Sequence, residues 1–117
     1  MLLNQLKGHK VGICVSGGLD SKTVTTRLLE AGVDVLCFTA DLAQPDESDI
    51  QYVVEKMRST GAETIVVDLK DAMAQACYLM VRTQATYDGG YWNTTGIARA
   101  VTTKGLSRAR KDRGCTV

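Results

Sequence analysis

The hydrophobic and polar positions of the chain divide it into two kinds of segment. Short apolar runs that end in small or polar residues are typical of buried strands, and residues 10–15, 33–40 and 64–69 have this pattern. A last short run, residues 115–117, looks like the first residues of a fourth strand. The pattern therefore predicts strands separated by longer segments of another kind.

Those longer segments have apolar residues three and four positions apart, which is the helical period. They predict helices at residues 20–31, 46–60, 71–85 and about 97–113. In the first helix, Val24, Leu28 and Leu29 recur at helical spacing, and Asp20 or Ser21 is placed to cap the start. In the third helix we assign the methionines to the core.

Alternating strands and helices of these lengths predict an α/β fold with a parallel sheet and helices on both faces, because parallel neighbours need a crossover connection. Ligands of such sheets bind outside the carboxyl ends of the strands, where the strand order reverses. The loops after Val15, Thr39 and Leu69 lie at that end. Residues 86–96 (TYDGGYWNTTG) are rich in glycine, aromatic and hydroxyl side chains, and we interpret them as a functional loop.

Composition limits the classes of protein that fit. The chain has 117 residues, 44% of them hydrophobic and 23% charged, which suits one domain. No apolar run approaches the ~20 residues that cross a bilayer, and the start lacks the pattern of a secretory signal, so we expect a cytoplasmic protein without a membrane partner. The net charge of +1 gives no basic footprint for nucleic acid. We interpret the basic cluster at residues 108–113 as a solvated helix end.

The four cysteines are widely spaced, and we expect them to be reduced. Because the chain has one histidine and no CxxC pair, a structural zinc site is not expected.

The candidate chemistry lies in residues 16–21 (SGGLDS), between the first strand and the first helix. Two glycines let the backbone approach a ligand closely, and the free amides of a helix start attract a phosphate group. Ser16 and Ser21 add hydroxyl groups, and Asp20 is placed to hold magnesium or to cap the helix. The segment matches neither the Walker loop, nor the GxGxxG fingerprint, nor the GxSxG elbow of hydrolases. The alternative is a structural turn with a helix cap.

This loop resembles the SGGxDS signature of the ATP pyrophosphatases, which include argininosuccinate synthase, GMP synthetase, asparagine synthetase, NAD synthetase and the tRNA-modifying thiolases. Two further segments narrow the resemblance. Residues 38–47 (FTADLAQPDE) look like the second-strand exit of argininosuccinate synthases, and residues 91–100 (YWNTTGIARA) look like their citrulline-side loop. The chain is therefore similar to the amino-terminal portion of that family.

The resemblance implies an enzyme that ligates citrulline and aspartate to argininosuccinate, with ATP split to AMP and pyrophosphate. It implies ATP and Mg²⁺ as cofactors, ATP, citrulline and aspartate as small-molecule partners, and a homo-oligomer, which is a homotetramer in the full-length family. No protein nucleophile and no protein-held metal are implied. The implied ATP-binding residues are Cys14, Val15, Ser16, Gly17, Gly18, Leu19, Asp20, Ser21, Lys22 and Ala40, and the implied citrulline-binding residues are Tyr91 and Thr95.

Some features depart from the family pattern. Ser21 and Lys22 stand where members commonly have Thr-Ser, and Ala43 replaces a usual glycine. The second glycine-rich ATP and aspartate segment and the synthetase domain of the family would follow Val117, so we expect residues 1–117 to be a single nucleotide-binding domain from a longer enzyme. Ordinary packing remains the alternative role for Ala40 and Tyr91. The alternative functions are another ATP pyrophosphatase, such as a tRNA-modifying adenylating enzyme, and a nucleotide-binding module without turnover.

Overall fold

The computed structural model describes residues 3–44 and 50–117, and its main element is a parallel sheet. After a 3-10 turn at Leu3–Leu6, the elements follow in the order β1 (Lys10–Cys14), α1 (Leu19–Glu30), β2 (Asp34–Asp41), α2 (Ile50–Arg58), β3 (Glu63–Asp68), α3 (Lys70–Thr83), β4 (Thr86–Tyr87), β5 (Tyr91–Trp92) and α4 (Thr94–Asp112). The strand and helix types agree with those predicted. The start of the second predicted helix, residues 46–49, lies outside the described residues.

The strand order of the sheet is β1-β2-β3, and both pairs are parallel. The end of the chain lies on the other side of β1, where Thr116 N–H donates to Lys10 O at 2.9 Å and Gly12 N–H donates to Val117 O at 2.8 Å. Residues 115–117 thus bond to β1, as the prediction of a fourth strand implies, although they are not themselves assigned as a strand. The chain changes direction across the sheet at β1, which makes its carboxyl end a switch point.

Helices cover both faces of the sheet. On one face, Leu28 of α1 and Met57 of α2 pack with Val35 and Cys37 of β2. On the other face, Leu106 of α4 packs on Leu36 and Phe38. The alternation along β2 arises because successive side chains of a strand point to opposite faces. The predicted α/β class with helices on both faces is confirmed.

The helix α3 packs mainly against α4. Met73 and Met80 are buried, which confirms their assignment to the core, and Met73 joins Leu42 and Ala98 in a third apolar cluster. The predicted loop at residues 86–96 is partly regular, because β4 and β5 pair as an antiparallel hairpin. The helix α4 accordingly begins at Thr94, three residues before the predicted start.

The structure of α1 departs from its sequence pattern in two places. Val24 is 50% exposed, and Thr25 is fully buried in its place. The polar Thr25 side chain is tolerated there because its hydroxyl lies 3.8 Å from the Cys37 sulfur. At the helix start, neither Asp20 nor Ser21 is the cap. Gly18 takes the N-cap position, so no side chain caps the helix.

Among the described residues, no helix is long and apolar enough to cross a bilayer. In the same residues, no group of three or more His, Cys, Asp and Glu side chains is placed to hold a metal ion. The four cysteines are free, and Cys37 is the buried one.

Candidate functional site

The loop between β1 and α1 is held by backbone and hydroxyl bonds. Val15 N–H donates to Phe38 O of β2 at 2.8 Å, which anchors the loop where it leaves the sheet. Ser16 N–H donates to Ser21 Oγ at 3.2 Å, and the two serine hydroxyls are 3.4 Å apart. The two ends of the SGGLDS segment are therefore tied to each other.

The start of α1 leaves donors free for a ligand. The first bond of the helix is the one that Lys22 N–H donates to Gly18 O at 3.2 Å. The amide groups of residues 19–21 precede that bond and have no acceptor within the helix. Unpaired amides at a helix start attract anions, so the turn has the donor pattern of a phosphate site.

The two loop glycines serve different purposes. Gly17 is buried at φ +78°, and a methyl group on it would lie 3.1 Å from Val53 Cγ1 of α2. Gly18 has φ −74° and ψ 172°, which any residue adopts, and a methyl group on it would meet only Ser16 Oγ at 3.5 Å. Gly17 is thus required by the fold, whereas Gly18 leaves open space beside the free amides.

A cavity of about 380 Å³ lies beside this loop at the carboxyl end of the sheet. Among the residues predicted to bind ATP, those that line it are Cys14, Val15, Ser16, Ser21 and Ala40. The remaining ones do not line it: Gly17 is buried, Gly18, Leu19 and Asp20 are exposed on the turn, and Lys22 is half-buried in α1. The structure therefore joins the β1 loop and the end of β2 in one cavity, with the free amides at its edge.

Sequence reasoning missed six residues that line the cavity, namely Thr39, Leu42, Ile50, Val53, Thr102 and Leu106. Ile50 and Val53 fall within the helix predicted at residues 46–60, but their position beside the loop could not be inferred. Thr102 and Leu106 come from α4, whose register was not predicted well enough to place them. Four of them, Leu42, Ile50, Val53 and Leu106, give the cavity an apolar wall.

The thiol of Cys14 faces the cavity and is exposed. Partial burial raises the pKa of this thiol, and the positive charge of Arg110 acts in the opposite direction. The sequence placed Cys14 in an apolar run, but its side chain lies on the accessible end of the strand. At neutral pH we expect the protonated thiol.

An ion-pair cluster lies at the ends of β2 and β3. Lys70 Nζ is 3.5 Å from Asp41 Oδ2 and 3.6 Å from Asp68 Oδ2. The charge of Asp41, followed by that of Asp68, raises the pKa of Lys70. Asp41 Oδ1 also accepts a hydrogen bond from Ala43 N–H at 3.1 Å. Asp41 thus anchors the turn after β2.

Ala43, the residue in place of the usual glycine, has φ +56°. That left-handed conformation is disfavoured for a residue with a Cβ atom. Alanine therefore strains the turn, which is a local reason for the glycine that is usual in the family at this position.

Tyr91 and Thr95 lie apart from the cavity wall. Tyr91 belongs to β5, is 71% exposed and has its ring centroid 6.5 Å from that of Tyr87. Thr95 is exposed in the first turn of α4. Seven residues separate Thr95 from Thr102, so both lie on one face of the helix, about 10 Å apart. The structure therefore aligns Thr95 with the cavity without making it part of the wall.

Comparison with protein families agrees with this geometry. The model of the arginosuccinate synthase N-terminal HUP domain matches residues 10–117. The chain belongs to the argininosuccinate synthase family. The match includes the loop after β1 and the end of β2, which border the cavity, and it continues through α4.

Among solved structures, NMN synthetase from Francisella tularensis is similar to this chain, with a TM-score of 0.65 and 15% identity. The alignment covers 97% of this chain and 48% of the synthetase chain, so the chain spans about half the length of that structure. At this identity the likeness concerns the fold. It agrees with the Rossmann-like arrangement of strands and helices.

Proposed function

We propose that this domain binds ATP for the ligation of citrulline and aspartate to argininosuccinate, with release of AMP and pyrophosphate. The observation that carries the proposal is the turn at residues 16–21, where free helix amides and two serine hydroxyls meet a cavity at the switch point of the sheet. Membership of the argininosuccinate synthase family supports it.

In this proposal the turn holds the phosphates of ATP. The amides of residues 19–21 and the hydroxyls of Ser16 and Ser21 donate to phosphate oxygens, and they stabilise the charge that grows on the departing pyrophosphate. Mg²⁺ bound with ATP would share that charge, and the exposed Asp20 carboxylate has oxygen atoms of the type that Mg²⁺ prefers.

The apolar wall would hold the base and exclude water. Leu42, Ile50 and Leu106 offer contact surface to an adenine ring, and the backbone of Ala40 offers polar groups at its edge. In the implied reaction, the ureido oxygen of citrulline attacks the α-phosphorus, pyrophosphate leaves, and the aspartate amine then displaces AMP. The chain contributes by positioning the phosphates, so no side-chain nucleophile is needed.

A second candidate is nucleotide binding without turnover in this part of the protein. It is favoured by the exposed positions of Tyr91 and Thr95 outside the cavity wall. In this case, residues other than those lining the cavity would be needed to hold citrulline next to ATP.

Calorimetry and a pyrophosphate-release assay test the two candidates together. We expect saturable binding of Mg-ATP, weaker binding of Mg-GTP, and no citrulline-dependent pyrophosphate release from residues 1–117. Citrulline-dependent release would establish turnover and exclude the second candidate. Absence of ATP binding to the folded protein would refute both.

A further inference from the structure

A long groove runs between α3 and α4 above the edge strand β3, and its volume is about 770 Å³. It is separate from the nucleotide cavity. Thr102 and Leu106 of α4 line the cavity, whereas Gly105 and Arg108 line the groove. The two sites therefore use different faces of one helix, and the groove has no part in the proposed ligation.

Each wall of the groove contains two small residues. Ala72 and Ala76 line the α3 side, and Gly105 and Ala109 line the α4 side. Residues without long side chains let a further helix approach to the usual interaxial distance of about 8–10 Å. A methyl group on Gly105 would lie 2.6 Å from Leu69 Cδ1, so α4 already touches the floor at this point.

The floor and one rim of the groove are apolar. Val67 of β3 and Leu69 form the floor, and Tyr78 and Leu79 of α3 stand at the rim with 68% and 60% of their surface exposed. These two neighbouring side chains extend the apolar floor to the rim on the α3 side. The α4 wall from Val101 to residue 109 is about 12 Å long, which corresponds to two turns or more of helix.

The charges around the groove are mainly positive. Arg82, Lys104 and Arg108 line it, and Asp112 is the acidic residue among the lining residues. The whole chain has a net charge of only +1, so positive charge is concentrated here. A complementary partner would carry carboxylates on both sides of an apolar stripe.

We propose that this groove is the docking site for an amphipathic helix of a protein partner, with an apolar stripe that contacts Leu69 and Leu79 and acidic residues that pair with Arg82, Lys104 and Arg108. The helix lies along α3 and α4 as a third member of the layer. Its apolar residues recur three and four positions apart, and its glutamates or aspartates flank that stripe.

Other occupants fit the charges and surfaces less well. A second copy of this face would bring the same three cations against their counterparts, which is unfavourable. A nucleic acid strand would pair with the cations, but its phosphates would cover the apolar floor without burying it. An acidic amphipathic helix would bury the apolar floor and would also pair its carboxylates with the cations of the groove.

Two synthetic peptides of about 14 residues test the proposal, since that length is about 21 Å of helix. Both have the same leucine stripe at helical spacing, and their flanking positions are glutamate in one and lysine in the other. Binding of each labelled peptide to the 117-residue protein is measured by fluorescence anisotropy. Amide chemical shifts of the ¹⁵N-labelled protein locate the contact.

We expect the glutamate peptide to bind with a Kd of about 10–100 µM and the lysine peptide to bind at least tenfold more weakly. The double variant Lys104→Glu with Arg108→Glu should weaken the glutamate peptide about tenfold or more. The matched control, Lys7→Glu with Arg58→Glu, changes the net charge equally at exposed sites outside the groove and should leave the affinity within about twofold. Leu79→Asp, at an exposed position, should also weaken binding without unfolding the protein.

Several results would overturn the proposal. They are the absence of saturable binding of the glutamate peptide up to about 1 mM, equal affinity for the two peptides, or equal loss in the groove and control variants. Amide chemical-shift changes confined to residues outside the groove would also overturn the proposal. Displacement of the peptide by single-stranded polyuridine at low concentration would assign the groove to nucleic acid instead.

Discussion

The two loop glycines allow the fold and the ligand contact to be tested separately. The perturbation is the same in both variants, a single methyl group, introduced as Gly18→Ala or as Gly17→Ala. At Gly18 the new methyl group would meet only Ser16 Oγ at 3.5 Å, and the backbone already has negative φ. Since alanine is less favourable than glycine at an N-cap, the free energy of unfolding of Gly18→Ala should fall, but by no more than about 1 kcal/mol.

The methyl group at residue 18 would stand next to the free amides at the start of α1. Each charge-assisted hydrogen bond from an amide at a helix start to a phosphate contributes about 1.5–3 kcal/mol to the binding free energy. Loss of one such bond weakens ATP binding about tenfold or more, because 1.4 kcal/mol corresponds to a factor of ten. We expect this loss in calorimetric titration of Gly18→Ala with Mg-ATP.

Gly17→Ala should behave in the opposite way. Its φ of +78° strains a residue with a Cβ atom, and the methyl group would lie 3.1 Å from Val53 Cγ1 and 3.3 Å from Val53 Cα. The left-handed conformation alone costs about 1–2 kcal/mol, so we expect a clear drop in the midpoint of thermal unfolding. Parent-like ATP affinity in a folded Gly18→Ala protein would show that the free amides are not the phosphate contact.

Three further predictions concern single side chains. Ala43→Gly should raise the free energy of unfolding by about 0.5–1 kcal/mol, because glycine adopts φ +56° without steric conflict; a chemical denaturation midpoint that does not rise would contradict the strain. Thr25→Val should leave stability unchanged or raise it by up to about 1 kcal/mol, since the buried hydroxyl has only a 3.8 Å contact with the Cys37 sulfur; thermal unfolding measures this, and a loss above about 1 kcal/mol would mean a stronger bond. The pKa of Cys14 is raised, so alkylation of this thiol by iodoacetamide should be slow at neutral pH and accelerate above the ordinary thiol range, and Mg-ATP should protect it; mass spectrometry follows the reaction, and fast alkylation at neutral pH would contradict the burial effect.

Much of the fold could be predicted because the hydrophobic period differs sharply between its elements. The centre of β2, residues 35–38, is an unbroken apolar run, in keeping with its cover of helices on both faces, and α2 has a clear apolar side. The turn at residues 16–21 was predicted from its position between a strand and a helix. Local sequence therefore predicted the strands, the helices and the part of the site contained in one loop.

The parts that were missed depend on packing between distant elements. Asp20 is a common cap residue, yet the sharp turn at Gly17 places Gly18 at the cap position. Val24 shares the apolar spacing of Leu28 and Leu29, but the rotation of α1 on the sheet buries Thr25 instead. The helix α4 has few apolar residues on any one face, so nothing in its pattern predicted that Thr102 would line the cavity.

The bonds that close the loop between β1 and α1 have a kinetic consequence. Val15, Ser16 and Gly18 are already held by β2 and by α1 in the free protein, and Gly17 packs on Val53. Ordering the backbone of one residue costs about 1–2 kcal/mol. Because the turn is already ordered, the binding energy of a ligand does not have to offset this cost. ATP should therefore meet a preformed phosphate site. In a stopped-flow experiment the observed rate constant would rise linearly with ATP concentration, without the plateau that marks a slow rearrangement of the protein.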